Sequence, residues 1–312
     1  VWALRDQYKM NGRTLVLLGS SFSLPAELAQ DVVVLSEDLP ADERVESIVK
    51  AQVKAGGLPQ LSSEVLTRSV DALRGLPAFA CEQLTAMSLR KSGMDLDSLW
   101  ARKQSQIEQT KGLSVIKGAE SLSDVKGQAE IVSFLSTVCT SAVRKPRLIV
   151  VLEEFEKVMA GSGERGDTSG VSQDQNPQFL TNMENERWTG LLCFGVPGSG
   201  KTLIARAIGN TFGVLTLACD VGATKASLVG ESEQYIREMM RVFKAIGGSN
   251  VLFLASCNGI LALTPELRRR FTLGSWYFDL PSASERSAMW KLYLGKYNLP
   301  LDSVRPNDEG WT

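Results

Sequence analysis

Apolar residues along this chain fall into two rhythms. Short unbroken runs of strand length occur at TLVLLG (14–19), DVVVL (31–35), RLIVVL (147–152), TGLLCFG (189–195), VLTLAC (214–219), NVLFLA (250–255) and GSWYF (274–278). Between them lie segments whose apolar positions recur every three or four residues: 45–55, 62–75, 78–93, 130–143, 171–186, 201–213, 231–246 and 287–294. Continuous hydrophobicity suits a strand covered on both faces, and the longer rhythm suits amphipathic helices. From Pro146 onward the two alternate, which predicts an α/β fold with a parallel sheet.

The same pattern divides the chain. Residues 57–118 read as helices, with a Ser cap at Ser62 and stops at Gly75 and Gly93, and so as a small helical subdomain. The Gly-, Ser- and Lys-rich stretch 111–127 reads as a linker. A repeat also emerges. TLVLLG, LPAEL, DVVVL, DLPADER and a helix run in the same order as NVLFLA, LTPEL, GSWYF, DLPSASER and a helix. Two copies of one supersecondary unit are expected. The second carries Asn258 and then Arg268, Arg269 and Arg270; the first has Phe22 and then Ala29, Gln30 and Asp31. The first copy keeps the fold pattern without the polar groups.

Composition narrows the chemistry. The 312 residues are 44% hydrophobic and 22% charged, which excludes a disordered or disulfide-scaffold chain. A formal net charge of -1 offers no broad basic field, so nucleic acid is not an expected partner. No apolar run is long enough to span a bilayer, and VWALRDQYKM has no signal-peptide pattern, so a soluble intracellular protein without a membrane role is expected. A start at Val1 predicts a processed or partial chain. Five widely spaced cysteines without a CxxC pair read as buried thiols. There is no histidine, so imidazole bases and His-dependent zinc sites are excluded. Catalysis would have to use carboxylates, Lys, Arg, hydroxyls, backbone amides or a hard metal.

One motif supplies that chemistry. Gly195, Val196, Pro197, Gly198, Ser199, Gly200, Lys201 and Thr202 fit G-x-x-x-x-G-K-[ST], with a strand before and a helix after. The glycines let successive amides turn toward phosphate oxygens, and the helix N-terminus adds its dipole. Lys201 would neutralise the β- and γ-phosphates, and the Thr202 hydroxyl would ligate Mg²⁺. Hydrolysis also needs carboxylates at the end of a neighbouring strand. No strand between Lys201 and Asn258 ends in a pair of acidic residues. LIVVLEEFEK does, with Glu153 and Glu154, but it lies upstream of the phosphate loop. Strands in a parallel sheet are ordered by space and not by sequence, so a permuted core is predicted.

Taken together, SLSDVKG, LEEFEK, GVPGSGKT, KASLVGESE, LASCN, LTPELRRRF and FDLPSASER resemble AAA+ ATPases, among them plastid and cyanobacterial AAA proteins and phage ATPases with the acidic strand upstream. The resemblance implies a P-loop NTPase core at 119–295, preceded by the tail of a degenerate AAA core (1–56) and a helical lid with linker (57–118), and followed by the start of a truncated second lid (296–312). It implies Glu153 at the magnesium position, Glu154 as catalytic glutamate and Asn258 as sensor. Arg268, Arg269 or Arg270 would be the finger that enters a neighbouring subunit's site, with Arg268 and Arg270 favoured. Leu228, Val229 and Gly230 resemble a pore loop. The implied cofactors are ATP and Mg²⁺, the implied partners a homo-oligomeric ring and a protein client, and the implied location the cytoplasm, plastid stroma or infected-cell cytoplasm. Glu153 in place of Asp, together with the missing second sensor, keeps open a switch or scaffold that binds ATP with negligible turnover. A DNA-remodelling role would need a basic surface, which the sequence does not display.

Overall fold

A computed structural model describes residues 5–17, 32–33, 35, 39–118, 120–141, 145–156, 181–220, 231–301 and 305–310. The chain forms two units, Val1–Asp38 and Leu39–Thr312. The first contains helix α1 (Arg5–Met10). Residues 14–17, expected to open a strand, are irregular and exposed. A strand needs a neighbour to take up its backbone hydrogen bonds, and no strand is found among the described residues of this unit. Phe22, Ala29, Gln30 and Asp31 lie outside the described residues.

The second unit opens with four helices, α2 (Asp42–Ala55), α3 (Ser63–Leu73), α4 (Ala78–Ser88) and α5 (Leu96–Ile107). They bury one core, with Val45, Ile48 and Val49 of α2 against Val70, Leu73, Cys81 and Leu99. Helix α2, from the first of the segments defined by sequence, therefore packs in the same cluster as the helices of 57–118. Caps set the helix starts: Ser62 Oγ accepts from the Val65 N–H at 3.3 Å, and Asp95 Oδ1 from the Ser98 N–H at 3.0 Å. Arg74 grips both carboxylate oxygens of Asp42 and joins the end of α3 to the start of α2. Helix α4 stops at Ser88 instead of Gly93. Residues 89–94 form a hairpin, β1 (Leu89–Arg90) against β2 (Gly93–Met94), and Gly93 at φ 121° supplies a turn that other residues rarely adopt.

A six-stranded sheet follows, built from β3 (Leu113–Val115), β4 (Leu148–Leu152), β5 (Thr189–Gly195), β6 (Leu215–Cys219), β7 (Val251–Cys257) and β8 (Ser275–Phe278). Its order is β3-β6-β4-β7-β5-β8, and every pairing is parallel except the antiparallel edge pair β3–β6. The stretch 111–127, read as a linker, supplies that edge strand. All five residues of β4 are buried. Leu148, Val150 and Leu152 enter one core with Met239 and Phe243, while Ile149 and Val151 enter the other with Leu135 and Ile208. The period of two explains why the run is apolar throughout: each face of the strand meets a helix layer. Helices α6 (Ala129–Thr140) and α7 (Lys201–Phe212) cover one face, and α8 (Glu231–Gly247) covers the other. Burying each such aliphatic side chain contributes roughly 1.5–3 kcal/mol. A short helix, α9 (Pro265–Arg268), precedes β8, and α10 (Ala283–Lys296) follows it.

Candidate nucleotide site

The phosphate-loop segment turns sharply because its glycines allow it. Gly195, the last residue of β5, lies against Phe278 of β8, and a Cβ there would collide with the Phe278 carbonyl. Gly198 and Gly200 adopt φ of 84° and 90°, in the left-handed region. Gly200 caps α7, whose first turn begins with Lys201 and Thr202. Ser199 Oγ donates to the Val196 carbonyl at 2.8 Å and closes the loop on itself. Lys201 is buried, and its Nζ donates to the carbonyls of Gly195 and Val196, each at 2.8 Å. Burial pulls this amine below the usual lysine range, against the opposing pull of Cys257 and Glu156. A cation at the mouth of a helix N-terminus that has no side-chain cap is a site for an anion.

Strand order brings carboxylates to the same edge. β4 lies between β6 and β7, and β7 lies between β4 and β5. In register, Leu152 faces Ala255 and Phe194 faces Cys257, so the carboxyl ends of β4, β7 and β5 finish side by side. Ligands of open α/β sheets bind outside this edge. Glu153 and Glu154 follow β4 directly and are exposed. Glu153 Oε1 stands 3.8 Å from Arg206 Nη2 of α7. Glu154 adopts φ 50°, unusual for a residue with a Cβ, and its N–H donates to Ser256 Oγ of β7 at 3.3 Å. Asn258, one residue past β7, is exposed, and its backbone N–H donates to Glu156 Oε1 at 3.0 Å. The sequence reading gave Glu156 no role. The only signal was a third acidic residue after the strand.

The arginine triplet separates. Arg269 is exposed and pairs loosely with Glu266 at 3.5 Å. Arg270 is ion-paired with Glu184. Arg268 is half-buried, and its Nε has no hydrogen-bond partner among the described residues. Leu228, Val229 and Gly230 lie outside the described residues.

A cavity of about 150 Å³ opens beside the loop, between Asp124–Gln128, Gly198–Gly200 and the start of α10. Met289, Leu292 and Tyr293 give it an apolar wall. The 121–128 segment is held there from both sides. The Leu122 N–H donates to Thr211 Oγ1 at 2.9 Å, and Gln128 Nε2 donates to the Asp279 carbonyl at 3.3 Å. SLSDVKG was recognisable in the sequence, but only the fold shows that it lines a cavity. No group of three His, Cys, Asp or Glu among the described residues is arranged to hold a metal. Thr202 and Glu153 offer the hard oxygens that Mg²⁺ takes in small number together with phosphates, so the residues fit an ion shared with a nucleotide.

A mostly parallel sheet flanked by helix layers, with a phosphate loop at the carboxyl end of β5, has the architecture of a P-loop fold. Residues 191–255 match the ATPase family associated with various cellular activities (AAA). That match runs from β5 into β7 and leaves β4 outside. The chain is also similar to the uncharacterized AAA domain-containing protein ycf46 of Guillardia theta, 25% identical over 340 residues that cover 94% of this chain and 59% of that protein. The corresponding protein of Trieres chinensis is 24% identical, over 93% of this chain and 60% of its own length. ATPase family gene 2 protein homolog A of Homo sapiens is 34% identical over 79 residues, 25% of this chain and 9% of that protein. The chain thus spans about three-fifths of the length of the first two relatives. The AAA+ resemblance read from the motifs is borne out by these matches. Among the described residues no helix is long and apolar enough to cross a membrane.

Proposed function

We propose that the chain binds ATP with Mg²⁺ and hydrolyses it to ADP and phosphate within an oligomer, whose cycle remodels a protein partner. One observation carries this reading: β4, tipped by Glu153 and Glu154, lies next to β7, and β7 lies next to the phosphate-loop strand. An upstream strand in that slot supports the permuted arrangement that hydrolysis requires.

Each residue then has a task. Lys201 leaves the carbonyls of Gly195 and Val196 to neutralise β- and γ-phosphate oxygens, while the first amides of α7 bind phosphate. Thr202 and Glu153 would hold the ion, which would supply positive charge against the phosphates. Glu154 accepts the proton of the attacking water, which the Asn258 side chain orients. Arg268 or Arg270 of a neighbouring subunit stabilises the transferred phosphoryl group; Arg270 must first leave Glu184. The cavity against α10 receives the base. A switch that binds ATP and turns over slowly is the second reading. Arg206 beside Glu153 favours it, since that pair competes with the ion.

The test is Mg²⁺-dependent ATP hydrolysis by the parent chain, Glu154→Gln and Lys201→Ala over a range of protein concentrations. The enzyme reading expects specific activity to rise with concentration, loss of activity in both variants, and retained ATP binding in Glu154→Gln. Hydrolysis by Glu154→Gln at the parent rate removes Glu154 from the mechanism. Binding without turnover by the parent replaces the enzyme with the switch.

A further inference from the structure

The turn after β4 carries a third carboxylate. Glu153 and Glu154 are exposed, whereas Glu156 reaches inward. One of its oxygens accepts the Asn258 N–H at 3.0 Å and bridges the ends of β4 and β7. The other is sealed from solvent and has no hydrogen-bond partner among the described residues. Leaving a carboxylate oxygen buried without a donor is costly, and such groups persist where a ligand or ion completes them. The charge is felt at the phosphate loop, because Glu156 acts electrostatically on Lys201, whose hydrogen bonds go to Gly195 and Val196. A negative charge in this position disfavours a bare triphosphate. It is offset when a divalent cation arrives with the phosphates.

We propose that Glu156 is a positioning residue that makes nucleotide binding depend on the divalent cation, holding the Asn258 amide with one oxygen and opposing metal-free nucleotide with the other. This rests on the ATP-binding reading above. Gln in its place keeps an acceptor for the Asn258 N–H and removes the charge at nearly constant volume, with an amide NH2 where the second oxygen stood. The Gln variant therefore isolates the electrostatic role from the structural one.

The probe is a fluorescent ATP analogue, titrated against the full chain by anisotropy with Mg²⁺ and again with EDTA. Parent, Glu156→Gln, Glu156→Ala and Lys201→Ala are compared. In Glu156→Gln the affinity without metal rises about tenfold, while the affinity with Mg²⁺ moves by less than about threefold, so the ratio of the two collapses. Damage to the fold would lower both affinities together and leave the ratio alone. Glu156→Ala, which also frees the Asn258 amide, shows the same collapse. An unchanged ratio in Glu156→Gln, with tight binding intact, overturns the role of Glu156 and leaves the nucleotide reading standing. A parent that binds no better than Lys201→Ala under either condition overturns both.

Discussion

Lys103 sits in the core of the α2–α5 bundle, and replacing it should stabilise the protein in a way that depends on pH. Its side chain is 1% exposed. Nζ donates to the Asp71 carbonyl at 2.9 Å and lies 4.9 Å from the centre of the Trp100 ring. Burial pulls this amine down from 10.5 to about 7; the nearby Arg74 pulls the same way, and Asp71 and Cys81 oppose. Between those two values the unfolded chain binds more protons at this site than the folded one, so stability rises with pH. The penalty is complete below the folded value and vanishes above the unfolded one. It comes to about 4 kcal/mol at pH 7 and about 2 kcal/mol at pH 9. Lys103→Met fills a similar volume without the charge and forfeits the bond to Asp71, a pH-independent loss of about 1 kcal/mol. Urea unfolding followed by circular dichroism at pH 7, 8 and 9 should find the variant more stable at pH 7. Its advantage over the parent should shrink by roughly 2 kcal/mol at pH 9. Taking the difference cancels the titrating groups that are not coupled to Lys103. A difference that stays constant over this range would refute the reasoning, because it would mean that the amine keeps its ordinary proton affinity inside the core.

Two further outcomes follow from local contacts. Ser282 and Glu285 cap α10 reciprocally, with Ser282 Oγ accepting the Glu285 N–H at 3.4 Å and Glu285 Oε2 accepting the Ser282 N–H at 2.8 Å. Ser282→Ala should cost about 1 kcal/mol, read as a drop in urea midpoint at unchanged slope. All five cysteines are buried, and burial raises the thiols of Cys81, Cys139 and Cys257 to about 11 and those of Cys193 and Cys219 to about 12. A thiol reagent at pH 8 should leave the native chain unmodified for hours and titrate five groups once urea is added; rapid native labelling would contradict the packing.

Much of the α/β core was legible because local pattern and fold agree there. The run at 189–195 is β5 residue for residue, and the helical rhythm opening at 201 is α7. The α/β class followed from that alternation. What the sequence could not display was neighbourhood. Nothing in SVIKG or its flanks distinguishes a linker from an edge strand, since β3 is three residues long and is defined by its pairing with β6. The early end of α4 escaped notice for a similar reason: Leu89 continues the helical rhythm, and the hairpin is set by a turn two residues later. Glu156 was invisible as a site residue because its significance is a backbone amide 102 positions away. In the first unit, the run at 14–19 read as a strand on composition alone, and its described part, 14–17, is irregular.

The central place of β4 also bears on how this polypeptide can be made. LIVVL leaves the ribosome more than a hundred residues ahead of the β7 segment that flanks it, since Leu148 pairs with Val251. At translation speeds of about 5–20 residues per second, that gap lasts roughly 5–20 seconds. Until β6 emerges, itself later in the chain at Leu215–Cys219, the most completely apolar strand of the sheet has neither neighbour available. A downstream acidic strand would have joined a sheet already begun. Here a central strand is made before both of its neighbours and waits for them, which makes the nascent chain a natural client for chaperones that shield extended hydrophobic segments.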